Sequence, residues 1–329
     1  MKPISKFIMK LYKKIAITTG DRSGIGFEIT AKALNELSPS LKKNKALFFI
    51  FRHKSQEELQ PRLFKLIDKT WSRITFNSLD EAIAYLASEK KPLPDNSLID
   101  LSLVSSEADW VVKAAHACVV KKLSALVTGP ISKKITADLP QKALGHTGIF
   151  RQMFPEAKLY MSFIGKDFNV LLATDHIPFA KIEGSLRLEG LAPVLQAARN
   201  FKKLINSKKK IAVLGLNPHS GENGLIGDVE KLLFAKLPNG VNGPLVPDAA
   251  FLKKNWHIYS VFVCLYHDQG LIPFKMHHGQ ESGVHLTLGL PFVRTSVDHG
   301  TAFNIFNKNV ANSNSMLEAI KLAIKLTGA

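Results

Sequence analysis

The chain alternates short apolar runs with amphipathic stretches. "KIAITTGDRSGIGFEI" (Lys14 to Ile29) reads as a β-branched strand, a glycine-rich turn and a helix start. "ALFFIF" (Ala46 to Phe51) is a second buried strand, and helical patterns follow around Gln56 to Leu66 and Asp80 to Ser88. The stretch Glu107 to Lys122 has helical spacing and runs into a strand, "LSALVTG". This βαβα order predicts an α/β fold with a largely parallel sheet covered on both faces.

The middle of the chain breaks that rhythm. In "KLYMSFIGKDFNVLLAT" (Lys158 to Thr174), two strands are joined by Gly165-Lys166-Asp167, a hairpin signal. A helix is expected around Leu186 to Leu204, then strands in "IAVLGLN" and "IYSVFVCLY", and an amphipathic helix in "SMLEAIKLAIKL". No repeat or low-complexity segment is visible. With 329 residues the chain is long enough for two domains. No long linker divides it, so a broad junction is expected, where ligand pockets often form.

Composition adds little to this picture and removes some options. The apolar fraction, 46%, allows a sizeable core. No apolar stretch reaches the roughly 18 residues of a membrane span. The basic start, "MKPISKFIMKLYKK", lacks a following apolar h-region. It reads as a short extension before the first strand, with no secretory signal, and a cytoplasmic location is expected. Cys118 and Cys264 lie in apolar settings and form no CxxC pair, the pattern of buried free thiols in a reducing compartment. The net charge is +17, but the lysines are scattered and not interleaved with aromatics. That favours a solvated basic surface, attractive to phosphorylated ligands, over a nucleic-acid partner.

Candidate chemistry gathers where strands end. "VLLATDHIPF" puts His176 just beyond a strand, "IAVLGLNPHSGENG" does so with His219, and "FVCLYHDQG" with His267. In open α/β sheets the carboxyl ends of strands face the ligand crevice. Three such histidines could share one metal and leave a position open for substrate. His53, His116 and His257 lack that context, and His277 and His278 carry no assigned role. Anion-binding features lie elsewhere. "GDRSGIG" joins a strand to a helix, where backbone N–H groups favour a negative ligand. Gly145, His146 and Thr147 mark another helix start, and Lys275 and Arg294 supply a point charge and a planar fork.

Taken together, these segments resemble one family, 4-hydroxythreonine-4-phosphate dehydrogenase, the PdxA family. The matching stretches are "ITTGDRSGIGFEI", "TGPISK", "GHTGIF", "DHIPF", "GLNPHSGENGLIG", "GPLVPDAAF", "YHDQGLIPFK" and "VHLTLGLPFVRTSVDHGTAFNI". They occur in family order from about Lys14 to Asn304.

The resemblance implies a fold similar to isocitrate and isopropylmalate dehydrogenases, with two α/β/α domains flanking a cleft. It implies a first domain of residues 1–127 and 290–329, and a second of residues 128–289 that holds the metal ligands and dimer-forming elements. It implies a homodimer with sites at the subunit interface. The implied reaction is NAD-dependent oxidation of 4-phosphooxy-L-threonine, whose 3-oxo product loses CO2 to give 3-amino-2-oxopropyl phosphate, a precursor of pyridoxal phosphate. The implied ligands of a divalent metal (zinc, magnesium or cobalt) are His176, His219 and His267. Substrate contacts fall on His146, Thr147, Lys275, His285 and Arg294, with Asp248 and Asp268 facing the substrate ammonium. "DHGTA" resembles an adenosine-side loop, so His299, Gly300 and Thr301 join Asp21, Gly24 and Gly26 on the cofactor.

Some positions depart from the family pattern. Arg22 and Phe27 replace two prolines of the first loop, which is therefore expected to be less rigid and more cationic. Gly148 stands for a glutamate, and His285 for an asparagine. Asn304 and Asn307 occupy a stretch that usually forms a helix start with an acidic residue and a glycine. Two alternatives remain: a dehydrogenase of another phosphorylated four-carbon hydroxy acid, such as 4-phosphoerythronate, or a degenerate homologue that binds metal or phosphate without turnover.

Overall fold

The computed structural model describes residues 12–37, 46–88, 93–94, 96–132, 135, 145–279 and 282–327. Most of the basic N-terminal extension and Lys133 of "TGPISK" lie outside the described residues. The strands are β1 (Lys13–Thr18), β2 (Ala46–His53), β3 (Ser72–Phe76), β4 (Ser97–Leu103), β5 (Ala125–Thr128), β6 (Tyr160–Ile164), β7 (Asn169–Leu172), β8 (Lys210–Leu214), β9 (Val241–Leu245), β10 (Tyr259–Cys264), β11 (Val284–Leu288) and β12 (Val293–Ser296).

The chain divides into two compact units, residues 1–156 with 290–329, and residues 157–289. The first crossing between the two units falls at 156/157. The reason is the helix Gly145–Met153, which buries Phe150 in the first unit, edge-on to Phe292 with ring centroids 6.3 Å apart.

The first unit is the expected parallel α/β sheet, in the order β3-β4-β2-β1-β5-β12. Its central strands read as continuous apolar runs because helices cover both faces. Ile15, Ile17, Phe48, Phe49, Ile99 and Val127 are fully buried. The helix Gly26–Leu37 follows β1 directly. Its Glu28 is buried, and Oε1 accepts from Ala311 N (2.8 Å) and Lys32 Nζ (2.8 Å). Lys32 Nζ also donates to the carbonyls of Asn309 (3.1 Å) and Ala311 (2.9 Å). The helical pattern over Gln56 to Leu66 resolves into two pieces, Gln56–Leu59 and Pro61–Asp68, since Pro61 cannot continue a helix but opens one well.

The second unit has the strand order β11-β6-β7-β10-β8-β9. The hairpin read from Gly165-Lys166-Asp167 is present, and β6 pairs antiparallel with β7 and with β11. From β7 onward, β10, β8 and β9 run parallel. The single helix expected over Leu186 to Leu204 is two, Ile182–Glu189 and Ala192–Leu204. Gly190 ends the first in a left-handed conformation, φ 64°, and Pro193 lies in the first turn of the second. Phe163, Phe168, Phe262 and Phe274 form the core. Cys118 and Cys264 are buried free thiols as read, and burial pushes the Cys118 thiol up to about 12. Among the described residues, no helix is long and apolar enough to cross a membrane.

Candidate active site

In the second unit the order β7-β10-β8 puts three parallel strand ends side by side. His176, His267 and His219 lie just beyond those ends. Neighbouring strands are about 4.8 Å apart, so residues leaving adjacent strands can meet. The rings of His176 and His267 do meet, with centroids 5.1 Å apart. His219, leaving β8, lines a cavity of about 670 Å³ together with Asp248, Tyr266, Asn217, Phe179 and Glu183. The donor atoms of the three histidines do not all come within 4.8 Å of one another in this single chain. The described trio that meets that limit is Asp167, His277 and His278.

A set of side chains that the sequence reading left without roles laces the strand ends together. Thr174 Oγ1, after β7, donates to Leu265 O, after β10, at 2.7 Å. Gln269 Oε1 accepts from Leu265 N (2.7 Å), and its Nε2 donates to Gly215 O, after β8 (2.7 Å). Gln269 thus satisfies buried backbone groups beyond the ends of two strands.

His267 is the first residue of the helix His267–His278. Its Nδ1 lies 2.7 Å from Asp268 Oδ1. A carboxylate there selects the tautomer with the proton on Nδ1 and leaves Nε2 as the free lone pair, the arrangement common behind metal-bound histidines. In this chain Asp268 is thus a partner of His267. His219 sits in an unusual turn, in which His219, Ser220, Gly221, Glu222 and Asn223 all have φ between 42° and 77°. Four of these residues carry a side chain, and each pays a left-handed cost of about 1–2 kcal/mol. Glu230 holds the turn's entry. Its Oε1 accepts from Leu216 N (2.9 Å) and Asn217 N (2.7 Å), and its Oε2 from Asn217 Nδ2 (3.0 Å). Glu230 is 5% exposed, and no signal in the sequence separates it from its charged neighbours.

The remaining expected contacts of the second unit divide. Lys275 is exposed on the helix His267–His278. His285 is 8% exposed on β11, its ring stacked on Phe163 at 5.1 Å.

The first unit gathers the residues expected on the nucleotide. Ile25 N donates to Thr301 O (3.0 Å), which joins the loop of Asp21, Gly24 and Gly26 to the segment of His299, Gly300 and Thr301. A side chain on Gly24 would put its Cβ 2.9 Å from that same carbonyl, so the approach requires glycine. His299 Nε2 is buried with no protein hydrogen bond, a polar atom suited to a ligand. The segment after "DHGTAF" is a short 3-10 turn, Phe303–Ile305, and not an α-helix start. Asn307 has φ 58° there, a left-handed conformation that asparagine tolerates better than other side chains.

Arg22, in the first loop, is tied to two distant segments. Its Nε and Nη2 donate to Glu107 Oε1 (2.7 Å) and Oε2 (3.2 Å), and Nη1 lies 2.8 Å from His53 Nε2. Arg294 is 1% exposed on β12, with its guanidinium over the Phe150 ring at 5.4 Å and Nη2 donating to Thr128 Oγ1. Burial pushes it down to about 9, so it is charged at neutral pH and gains from a nearby anion. His146 and Thr147 sit half-buried in the first turn of the helix Gly145–Met153.

The chain matches known proteins over most of its length. It is 34% identical to the 4-hydroxythreonine-4-phosphate dehydrogenase of Sulfurihydrogenibium sp. (strain YO3AOP1), over 95% of this chain and 98% of that protein. It is 32% identical to the D-threonate 4-phosphate dehydrogenase of Pectobacterium atrosepticum, over 95% of this chain and 99% of that one. The crystal structure of 4-hydroxythreonine-4-phosphate dehydrogenase from Klebsiella pneumoniae superposes with a TM-score of 0.74 at 26% identity, covering 96% of this chain and 99% of that one. Residues 100–323 match the family model described as pyridoxal phosphate biosynthetic protein PdxA, and the chain belongs to that family.

Proposed function

We propose that this protein is a dehydrogenase that oxidises 4-phosphooxy-L-threonine with NAD and a divalent metal, zinc, magnesium or cobalt, in the cytoplasm. The observation that carries the reading is the pairing of His176 with His267 at adjacent strand ends, beside the His219 cavity.

His176, His219 and His267 would hold the metal through ring nitrogens. Asp268 fits that role for His267, because it already fixes the tautomer that leaves Nε2 open. When bound, the metal acts as a Lewis acid that lowers the pKa of a substrate hydroxyl and so eases loss of hydride to the nicotinamide. Asp21, Gly24, Gly26, His299, Gly300 and Thr301 would hold the dinucleotide. His146, Thr147, Lys275, His285 and Arg294 are the proposed substrate contacts. Arg294 supplies a preformed cation whose desolvation is already met by the fold. Positioning of this kind lowers the barrier by itself. Asp248, on the cavity wall with His219, faces the substrate ammonium in this reading. The 3-oxo product carries its carbonyl β to the carboxylate and loses CO2 to give 3-amino-2-oxopropyl phosphate.

The reading includes a homodimer with a shared site. Two features support it. The three histidines do not gather in one chain, and the second unit exposes Phe179, Leu188, Leu225 and Met276, each at least 76% accessible. A second substrate reading, D-threonate 4-phosphate, is favoured by the identity to the Pectobacterium enzyme. That compound differs in offering a hydroxyl where the threonine compound has an ammonium, so Asp248 and His285 are where the choice is made.

The test is NADH formation by metal-supplemented protein, with 4-phosphooxy-L-threonine, D-threonate 4-phosphate and 4-phosphoerythronate side by side. Turnover of the threonine compound is expected. Turnover of a hydroxy acid alone would transfer the assignment to that acid. Metal binding without any turnover would make the chain a non-catalytic homologue.

A further inference from the structure

We propose that Asp167, His277 and His278 form a second divalent-cation site, suited to a borderline ion such as Zn2+, at the far end of the helix that His267 opens. One ring nitrogen of each histidine and a carboxylate oxygen of Asp167 lie within 4.8 Å of one another. Two imidazoles and a carboxylate form a zinc-type donor set with one position left open.

The orientation of His278 is what turns proximity into a site. The ring is 7% exposed, and its Nδ1 lies 3.2 Å from Phe274 O. A carbonyl can only accept, so Nδ1 carries the proton and the Nε2 lone pair points at the β6–β7 turn. A histidine ligand normally donates its second N–H to a backbone carbonyl or carboxylate in this way. Nε2 meets Asp167 N at 3.3 Å, a long contact that an ion can replace.

His277 brings its Nε2 to 2.7 Å from Asp167 Oδ2. Its ring is held by Trp256, with centroids 4.5 Å apart, and by Phe168 at 5.7 Å. An ion bound tetrahedrally at roughly 2.0–2.2 Å from each atom requires them to part by about 0.6–0.9 Å. With the His277 ring held by its stacking, the more exposed Asp167 carboxylate makes that adjustment. Gly165 belongs to the design. A Cβ there would lie 2.5 Å from the His278 ring, so only glycine admits the imidazole against the turn. Lys166, exposed in the same turn, is the competing cation.

The site is separate from the one at His176 and His267. His267 and His278 are the two ends of one helix, about 16 Å apart along its axis. An ion here staples the β6–β7 hairpin to the helix that carries His267, Asp268 and Lys275.

The experiment is zinc counting on the chelator-stripped full chain, dialysed against micromolar Zn2+. The variant is Asp167→Asn with His277→Gln, two accessible positions that leave the core intact. The wild type is expected to retain about one ion per chain more than the variant, and Zn2+ is expected to raise the wild-type Tm more than the variant's. Equal zinc counts and equal Tm shifts would overturn the proposal, and so would a wild type that retains no zinc. His176→Ala lowers the count independently if the first centre exists, so each reading fails on its own variant.

Discussion

Arg22 and Glu107 clasp each other at two points, and the Glu107 carboxylate is only 3% exposed in that grip. A glycine-rich turn without its proline is thereby tied to the helix Glu107–Val119. Arg22→Ala strands a buried carboxylate, a costly condition. Because Arg22 itself is partly exposed, the expected loss is about 2 kcal/mol in urea unfolding. If this loop holds the dinucleotide, its KM should rise with little change in KM for the phosphorylated substrate. An unchanged dinucleotide KM would separate the clasp from the loop's function.

His53 gives the same corner a pH dependence. Burial, and then the charge of Arg22, hold His53 below the usual histidine range. As pH falls through about 6.5, the unfolded chain takes up a proton that folded His53 resists. Stability therefore declines below that pH and levels off once the folded imidazole protonates. Unfolding free energies at pH 7.5 and 5.5 should differ less in His53→Gln than in the wild type. Equal differences would mean that the proton is taken up elsewhere.

Glu230 sustains the left-handed turn of His219. Glu230→Ala leaves the Leu216 and Asn217 amides without their acceptor and should cost roughly 2–3 kcal/mol. If His219 is a metal ligand, metal affinity read by calorimetry should weaken as His219 loses its position. Glu230→Gln keeps one acceptor and should recover part of both losses. A variant that loses stability but keeps full metal affinity would show that the turn does not serve the metal.

Arg294→Lys preserves the charge but removes the planar contact with Phe150 and the reach to Thr128. If Arg294 holds the substrate phosphate, KM should rise by roughly 100-fold, with kcat affected less. A KM within a few-fold of wild type would move the phosphate to other residues.

Polar side chains at the ends of apolar strands are conspicuous in a sequence, which is why the candidate histidines could be picked out there. His176, His219 and His267 each interrupt such a run. Their arrangement was not legible. Adjacency of His176 and His267 depends on β10 inserting between β7 and β8, a long-range crossover that no local pattern encodes. Glu230 and Gln269 escaped notice for a related reason. Each is a polar residue in a helical stretch, and only the partner strand ends reveal that it is buried for backbone contacts. Helix ends at Gln60 and Gly190 were written in Pro61 and Gly190, but amphipathic spacing continued across both and masked them. The clasp on Arg22 was not legible because Glu107 and His53 come from distant segments.

The buried Glu28 and its neighbour Lys32 place an unusual restriction on mutation by length. One helix supplies the exit from the glycine loop and also, through these two side chains, the anchorage of Asn309 and Ala311. A one-residue deletion between Gly26 and Glu28 would rotate both anchors by about 100° relative to the loop. Substitutions along the exposed flank of this helix can accumulate, but its reading frame of turns cannot slip. The two segments expected on the nucleotide, some 280 residues apart in the chain, are thus indexed against a single shared thread.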